Sequence, residues 1–206
     1  MAELGDPGVD PEGQFFPDTY RFARDTTDVE LLRQAHEALE RNLARAWSAR
    51  APGIVLETPY QALILASIIE KETALASERR LISGVFHRRL ERGMRLQTDP
   101  TVIYGLGAQF DGNLRREDLA RDTPYNTYTR PGLPPTPIAL PGMASLEAAV
   151  MPATGDALYF VADGDGGHVF ARSLSEHNAN VARYRKLMRA QRAQRKTDPA
   201  APAQAE

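Results

Sequence analysis

The sequence predicts an α+β fold in which helices dominate and a small β element is added. Three observations carry this. Thr58-Pro59-Tyr60-Gln61 opens a stretch, Ala62 to Ile69, in which only Ser67 is polar, the pattern of a helix buried nearly all round. Residues 28–49 repeat their apolar positions every three or four residues, as an amphipathic helix does. Leu158–Ala162 and His168–Ala171 alternate instead, on either side of Asp163-Gly164-Asp165-Gly166-Gly167, as the strands of a hairpin do.

Bulk properties narrow the function classes. A length of 206 residues suits one domain, or one with a small appendage, and suffices for a substantial core. A formal net charge of −2 gives no overall basic footprint, so nucleic acid is not an expected partner. The chain has no cysteine, which excludes disulfides and thiol chemistry and leaves the compartment open. It carries no signal peptide and no apolar run long enough to span a bilayer. The opening residues read as a start inside a longer natural protein.

Taken in order, residues 1–11 form a flexible lead-in rich in Pro, Gly and Asp. The segment Glu12 to Phe22 holds Phe15, Phe16, Tyr20 and Phe22 around Pro17, which suggests an extended strand or turn packed on the core, or the lip of a cleft. Thr27 and Glu30 make a capping box. The helix they open runs to about Ala49, with Leu32, Ala35, Leu39, Leu43, Ala46 and Trp47 on one face. Thr58, Pro59 and Gln61 then start the central helix.

Glu70, Lys71 and Glu72 end that helix. Stepping by three or four from Ala62 reaches Leu65 or Ala66, then Ile69, then Glu72, so Glu72 continues the apolar stripe. Glu70 is turned roughly 160° away. One of the two is expected to be markedly less solvated, and burial is how a carboxyl stays protonated for use as a general acid. The bland alternative is a solvated face on which both pair with Lys71, Arg79 or Arg80.

Ser77 is placed to cap a second helix carrying Leu81, Ile82, Val85, Phe86 and Leu90, ended by Gly93. Glu78 falls in its first turn, where the helix dipole explains a carboxylate. Gln97, Thr98 and Asp99 crowd hydrogen-bonding groups between two helices, and Asp99-Pro100 reads as the cap and first turn of a short helix through Tyr104. Residues 105–144 show little periodicity, and a connection this long, when ordered, tends to be functional. Within it Tyr125-Asn126-Thr127-Tyr128 sets aromatic faces beside amide and hydroxyl groups, a mixture that suits sugars. Prolines 131, 134, 135, 137 and 141 stiffen an extended wall or a partner-docking segment.

Ser145 starts a short helix stopped before Pro152. Asp163, Asp165 and His168 hint at a metal loop, but no distal Glu follows, and a hairpin turn is the better reading. No metal and no cofactor is expected. Ser173 and Glu176 cap a final helix that becomes strongly basic, and residues 191–206 read as a disordered basic and Pro/Ala-rich tail.

The order EGQFFPDTY, LASIIEKETALASER, GVFHRRLERGMRLQTDPTVIYGLG, TPYNTYTRPGLPPTPIALPG, SLEAAVMP and LYFVADGDGGHVF closely resembles the YceG-like (MltG) family of endolytic murein transglycosylases. The resemblance spans about residues 12–182. It implies a catalytic domain over 12–190 with a helical, lysozyme-like half at 27–104, lacking an inner-membrane anchor and most of a LysM-like region. The implied substrate is the peptidoglycan glycan strand, cleaved between N-acetylmuramic acid and N-acetylglucosamine to leave 1,6-anhydro ends in the periplasm. The implied partners are peptidoglycan synthases, the penicillin-binding proteins. The family's catalytic Glu, followed by a small hydroxyl residue, maps onto Glu72-Thr73, with Glu70 as the fallback. Gln97, Thr98, Asp99, Tyr104, Tyr125, Asn126, Thr127 and Tyr128 are the expected substrate contacts. Two other readings stay open: a lysozyme-like hydrolase using Glu72 with Asp99 as a second carboxylate, and a non-catalytic glycan-binding module.

Overall fold

The computed structural model describes residues 1–197. They divide into two compact units, the first Met1–Gly155 and the second beginning at Asp156.

In the first unit, α1 (Asp28–Ser48) starts where its capping box lies. The Glu30 N–H donates to Thr27 Oγ1 at 3.2 Å and the Thr27 N–H donates to the Glu30 carboxylate at 2.8 Å, so two end donors are satisfied reciprocally. Ala35, Leu39 and Ala46 are buried, whereas Leu32 is 43% exposed although the same stripe includes it. α2 (Pro59–Glu72) is capped by Thr58, which accepts from the Gln61 N–H at 3.2 Å. The Gln61 side chain reaches back to the Glu57 N–H instead of the cap residue's own. Every residue from Ala62 to Ile69 is buried, so this helix is the centre of the unit.

α3 (Arg79–Glu91), α4 (Asp99–Leu106), α5 (Arg116–Ala120) and α6 (Met143–Val150) follow. α6 packs along α2, with α1, α3 and α4 on α2's remaining sides. Small residues permit close approach: Ala148 and Ala149 are buried in α6, and a Cβ on Gly84 of α3 would lie 2.5 Å from the Ala153 carbonyl oxygen.

Several starts differ from those expected. α3 begins at Arg79 with Glu78 as its cap residue, and Ser77 stays in the preceding turn. Thr73 moves the start: its hydroxyl donates to the Glu78 carboxylate at 3.3 Å and accepts from the Leu75 N–H at 3.1 Å. For α4, Thr98 is the cap and Asp99 the first helical residue. α6 begins two residues before Ser145, with Gly142 as its cap. The 105–144 stretch contains α5 and a 3-10 turn at Gly107–Gln109. The Glu12–Phe22 segment is not a strand: the Phe16 N–H donates to the Ala35 carbonyl of α1 at 3.0 Å, and Phe22 is 66% exposed. It is a strap across a helix, and a helix offers no strand edge to pair with.

Residues 1–11 also hold to α1. Arg33 donates to the Glu3 carbonyl at 2.7 Å, and the His36 ring lies 2.8 Å from both the Gln14 carbonyl and the Asp6 carboxylate. Burial pushes His36 down, but the Gln14 carbonyl, the Asp6 carboxylate and the charge of Glu40 together hold it above its ordinary value.

The second unit is a hairpin and a helix. β1 (Tyr159–Ala162) pairs antiparallel with β2 (His168–Ala171), Tyr159 opposite Ala171 and Ala162 opposite His168. In the connecting turn the Asp163 carboxylate accepts from the Asp165 and Gly167 N–H groups at 2.8 and 3.0 Å, which accounts for it as a turn residue. α7 (Leu174–Thr197) opens with Ser173 accepting from Glu176 and Glu176 accepting from Arg172. It runs past residue 190 into the expected tail, of which residues 198–206 lie outside the described residues. Among the described residues this hairpin supplies the β content.

Candidate active site

The site is built where α2 ends. Glu70 and Glu72 are both half-buried, so solvation does not separate them as expected. Their partners do. The Glu70 carboxylate accepts from the Gly142 N–H at 3.1 Å, and Gly142 is the cap residue of α6. Glu70 therefore ties α2 to the start of α6. The Glu72 carboxylate accepts from the Thr98 hydroxyl at 2.6 Å.

Thr98 is aimed by a lattice of hydroxyls behind it. Its N–H donates to Thr127 Oγ1 at 3.1 Å, its carbonyl accepts from Thr101 Oγ1 at 2.8 Å, and the Thr101 and Thr127 hydroxyls are 2.8 Å apart. All three threonines are at most 2% exposed. Gln97 is exposed, and its N–H donates to the Thr127 carbonyl at 3.1 Å. Its φ of 51° lies in the left-handed region, unusual for a residue with a side chain, and turns the backbone so that Thr98 faces inward.

Asp99 is exposed and accepts from the Tyr128 hydroxyl at 2.6 Å. Burial first, then Asp99 and the charge of Glu72, push that hydroxyl far above its ordinary value, while Arg89 pulls the other way. Tyr128 is thus a neutral donor at any working pH. Arg89 sits beneath, 6% exposed, donating to the Leu96 and Arg95 carbonyls at 2.7 and 3.2 Å. Arg95 donates to the Tyr128 carbonyl at 3.1 Å.

The Tyr125–Tyr128 turn divides its residues between inside and outside. Asn126 is 1% exposed; its amide donates to the carbonyls of Asp118, Leu119 and Arg121, and its carbonyl accepts from the Tyr128 N–H at 2.8 Å. Those bonds engage both amide donors and the side-chain carbonyl, so it closes the end of α5 and fixes the turn. Thr127 supports Thr98 from behind. Tyr125 and Tyr104 instead pack against each other, ring centroids 4.8 Å apart and planes tilted by 59°.

The structure thus brings Glu72, Thr98, Asp99 and Tyr128 together, with Gln97 beside them and Asn126 and Thr127 behind. Tyr104 and Tyr125 make a second group. Sequence reasoning missed Arg89, Arg95 and Thr101. For Arg89 a signal existed: it continues the stripe Ile82, Val85, Phe86 at helical spacing, as Glu72 continues that of α2. Chemically, a carboxyl held by a hydroxyl beside a second carboxylate and a phenol suits proton transfer to and from a hydroxyl-rich ligand.

Comparisons with known proteins agree on one family. The family model described as the YceG-like family matches residues 2–183. A Bacillus subtilis protein named endolytic murein transglycosylase is 39% identical over 173 residues, covering 84% of this chain and 48% of that protein. A Streptococcus pneumoniae protein of the same name is 36% identical over 178 residues, covering 84% and 32%. A crystal structure of a yceG-like protein from Listeria monocytogenes matches with a TM-score of 0.72 at 35% identity, over 87% of this chain and 59% of that one. The chain therefore spans about half the length of the first relative and about a third of the second.

Proposed function

The chain belongs to the YceG-like family, and on that premise we propose that its first unit cleaves murein glycan strands from within, as a lytic transglycosylase with Glu72 as its one acid and base. The observation that carries this reading is the 2.6 Å bond between Glu72 and the Thr98 hydroxyl. A hydroxyl can donate to a carboxylate and accept from a carboxylic acid, so Thr98 serves Glu72 in both states.

In the proposed reaction the protonated Glu72 gives its proton to the oxygen linking N-acetylmuramic acid to N-acetylglucosamine, and the C1–O bond breaks. The C6 hydroxyl oxygen of the same muramoyl residue bonds to C1, and its proton passes to the Glu72 carboxylate. The acid is restored, and the strand ends in a 1,6-anhydro ring. Because the nucleophile is part of the substrate, its effective concentration is high and no second carboxylate is needed. Gln97, Asp99 and Tyr128 contact the sugars beside Glu72, Tyr104 and Tyr125 contact them further along, and Asn126 and Thr127 act by holding the turn.

Asp99 favours one other reading, hydrolysis by a carboxylate pair as in lysozyme. Mass analysis of products from uncrosslinked strands decides between them. Ends one water lighter than hydrolysis products, made by the native protein and absent with Glu72→Gln, are expected. Reducing ends instead would establish the hydrolase, and strands bound but uncut by the native protein would leave a glycan-binding module.

The same reading sets the working protein in the bacterial envelope, anchored at the inner membrane beside penicillin-binding proteins that supply nascent strands. Among the described residues no helix is long and apolar enough to cross a membrane. Recovery of a synthase with the full-length protein after crosslinking in cells tests the association; its absence from the crosslinked material would count against it.

A further inference from the structure

We infer that Arg89 is a positioning residue for the proposed reaction, clamping the chain between α3 and α4 so that the Thr98 hydroxyl meets Glu72. This rests on the murein reading above.

Arg89 lies in the last turn of α3 and holds the chain that leaves the helix at two points. Its backbone carbonyl accepts from the Met94 N–H at 2.8 Å, and its Nη1 donates to the Leu96 and Arg95 carbonyls at 2.7 and 3.2 Å. Between Arg89 and Met94, Gly93 at φ 63° takes the left-handed step that turns the chain back. Residues 94–96 therefore fold back over one side chain.

The peptide joining Leu96 to Gln97 is pinned at both edges. Its carbonyl accepts from Arg89, and its N–H donates to the Thr127 carbonyl at 3.1 Å. The next N–H, that of Thr98, is fixed on Thr127 Oγ1 at 3.1 Å. With the groups on either side of it held, Gln97 must make up the turn, and it does so at φ 51°. A residue with a side chain stays in that region only where its surroundings over-determine it. Arg89 supplies one of the two pins. Released from it, the Leu96–Gln97 peptide is free to rotate, Gln97 relaxes out of the left-handed region, and the 2.6 Å bond from Thr98 to Glu72 loses its aim.

Stability does not by itself call for an arginine here. Arg89 is 6% exposed on the stripe of Ile82, Val85 and Phe86, each fully buried, and desolvating a cation costs several kcal/mol that an apolar side chain would not incur. What an apolar residue cannot do is donate to the Leu96 carbonyl. A lysine keeps the charge, but it ends sooner and lacks the planar fork.

The test is a pair of variants in two backgrounds, with urea unfolding to confirm that each is folded. On uncrosslinked murein strands Arg89→Lys should lower kcat about fivefold with KM within about twofold of native, and Arg89→Met should fall at least as far. Added to Thr98→Val, Arg89→Lys should cause no further loss, because the contact it serves is already gone. A merely structural role would lower kcat by the same factor in both backgrounds, and that result, or a native kcat in Arg89→Lys, overturns the proposal. A second readout needs no substrate. Three-bond couplings of the Thr98 methyl, which read its χ1, should give one staggered rotamer in the native protein and an average in Arg89→Lys; native couplings in the variant would refute the clamp. Should the native protein leave the strands uncut, the murein lyase reading falls, while the couplings still decide whether Arg89 sets Thr98.

Discussion

Glu70 and Glu72 leave the same helix two residues apart and are both half-buried, yet they meet different neighbours. Glu70 faces the α6 side and accepts from a backbone N–H, a donor that cannot become an acceptor. Glu72 faces the α4 side and meets a hydroxyl, which can. Burial alone does not distinguish the two carboxylates; the partner's capacity to reverse its role does, and it is on this difference that the proposed assignment of Glu72 rests. The same division holds in the Tyr125–Tyr128 turn, where Asn126 meets fixed backbone groups and Tyr128 meets a carboxylate at the surface.

This comparison breaks most decisively if the two carboxylates behave alike. Glu72→Gln should lower kcat on murein strands by about a thousandfold, within the usual range for a lost acid/base, whereas Glu70→Gln, which keeps an acceptor for Gly142, should stay within a few-fold of native. A comparable collapse in Glu70→Gln would end the assignment. Thr98→Val removes the reversible partner while keeping its volume. It should reduce kcat about tenfold and Thr98→Ser should restore it; an unchanged kcat in Thr98→Val would show that the hydroxyl is not needed.

Stability sharpens the other side. Glu70→Ala leaves the Gly142 N–H without its acceptor, and urea unfolding should show a loss of about 1 kcal/mol. The smallest effect belongs to the strap on α1. His36 is held above its ordinary value in the folded chain, so its contribution is fully present below the unfolded value, near 6.5, and is lost as pH rises through the folded one. Unfolding free energy should therefore drop by about 0.5 kcal/mol from pH 6 to pH 8, with the drop reduced in Asp6→Asn. A flat profile in the native protein would remove His36 from the account.

The regular parts of this molecule were legible because regularity has a period. The burial of α2, the capping of α1 and α7 and the β1–β2 hairpin all follow from spacing. Glu72 was singled out by the same wheel, although the structure separates it from Glu70 by partner rather than exposure. Arg89 carried an equal signal in α3, where it continues the buried stripe, and was missed. Irregular segments offer no such handle. Five residues are too few for α5 to show a period, and nothing in Tyr125-Asn126-Thr127-Tyr128 tells which side chains turn inward. Aromatic density in Glu12–Phe22 is the same for a strand and for a strap. The start of α6 slipped by two residues where a distant group, Glu70, holds the cap residue.

The bonds at the two carboxylates also differ in the length of chain they close. Thr98 is 26 residues from Glu72, whereas Gly142 is 72 residues from Glu70, and Ile138 is 71 from Ser67, whose hydroxyl accepts its N–H. Closure entropy grows with the logarithm of loop length, so the longer closure costs about 1 kcal/mol more. Docking of the proline-rich wall should thus trail the meeting of α2 with α4 as the chain folds, and mutational folding kinetics should give a lower φ at Gly142 than at Thr98. On that order Glu72 would gain its hydroxyl before Glu70 gains its amide, so the end of α2 proposed to react would be assembled before the proline-rich wall docks.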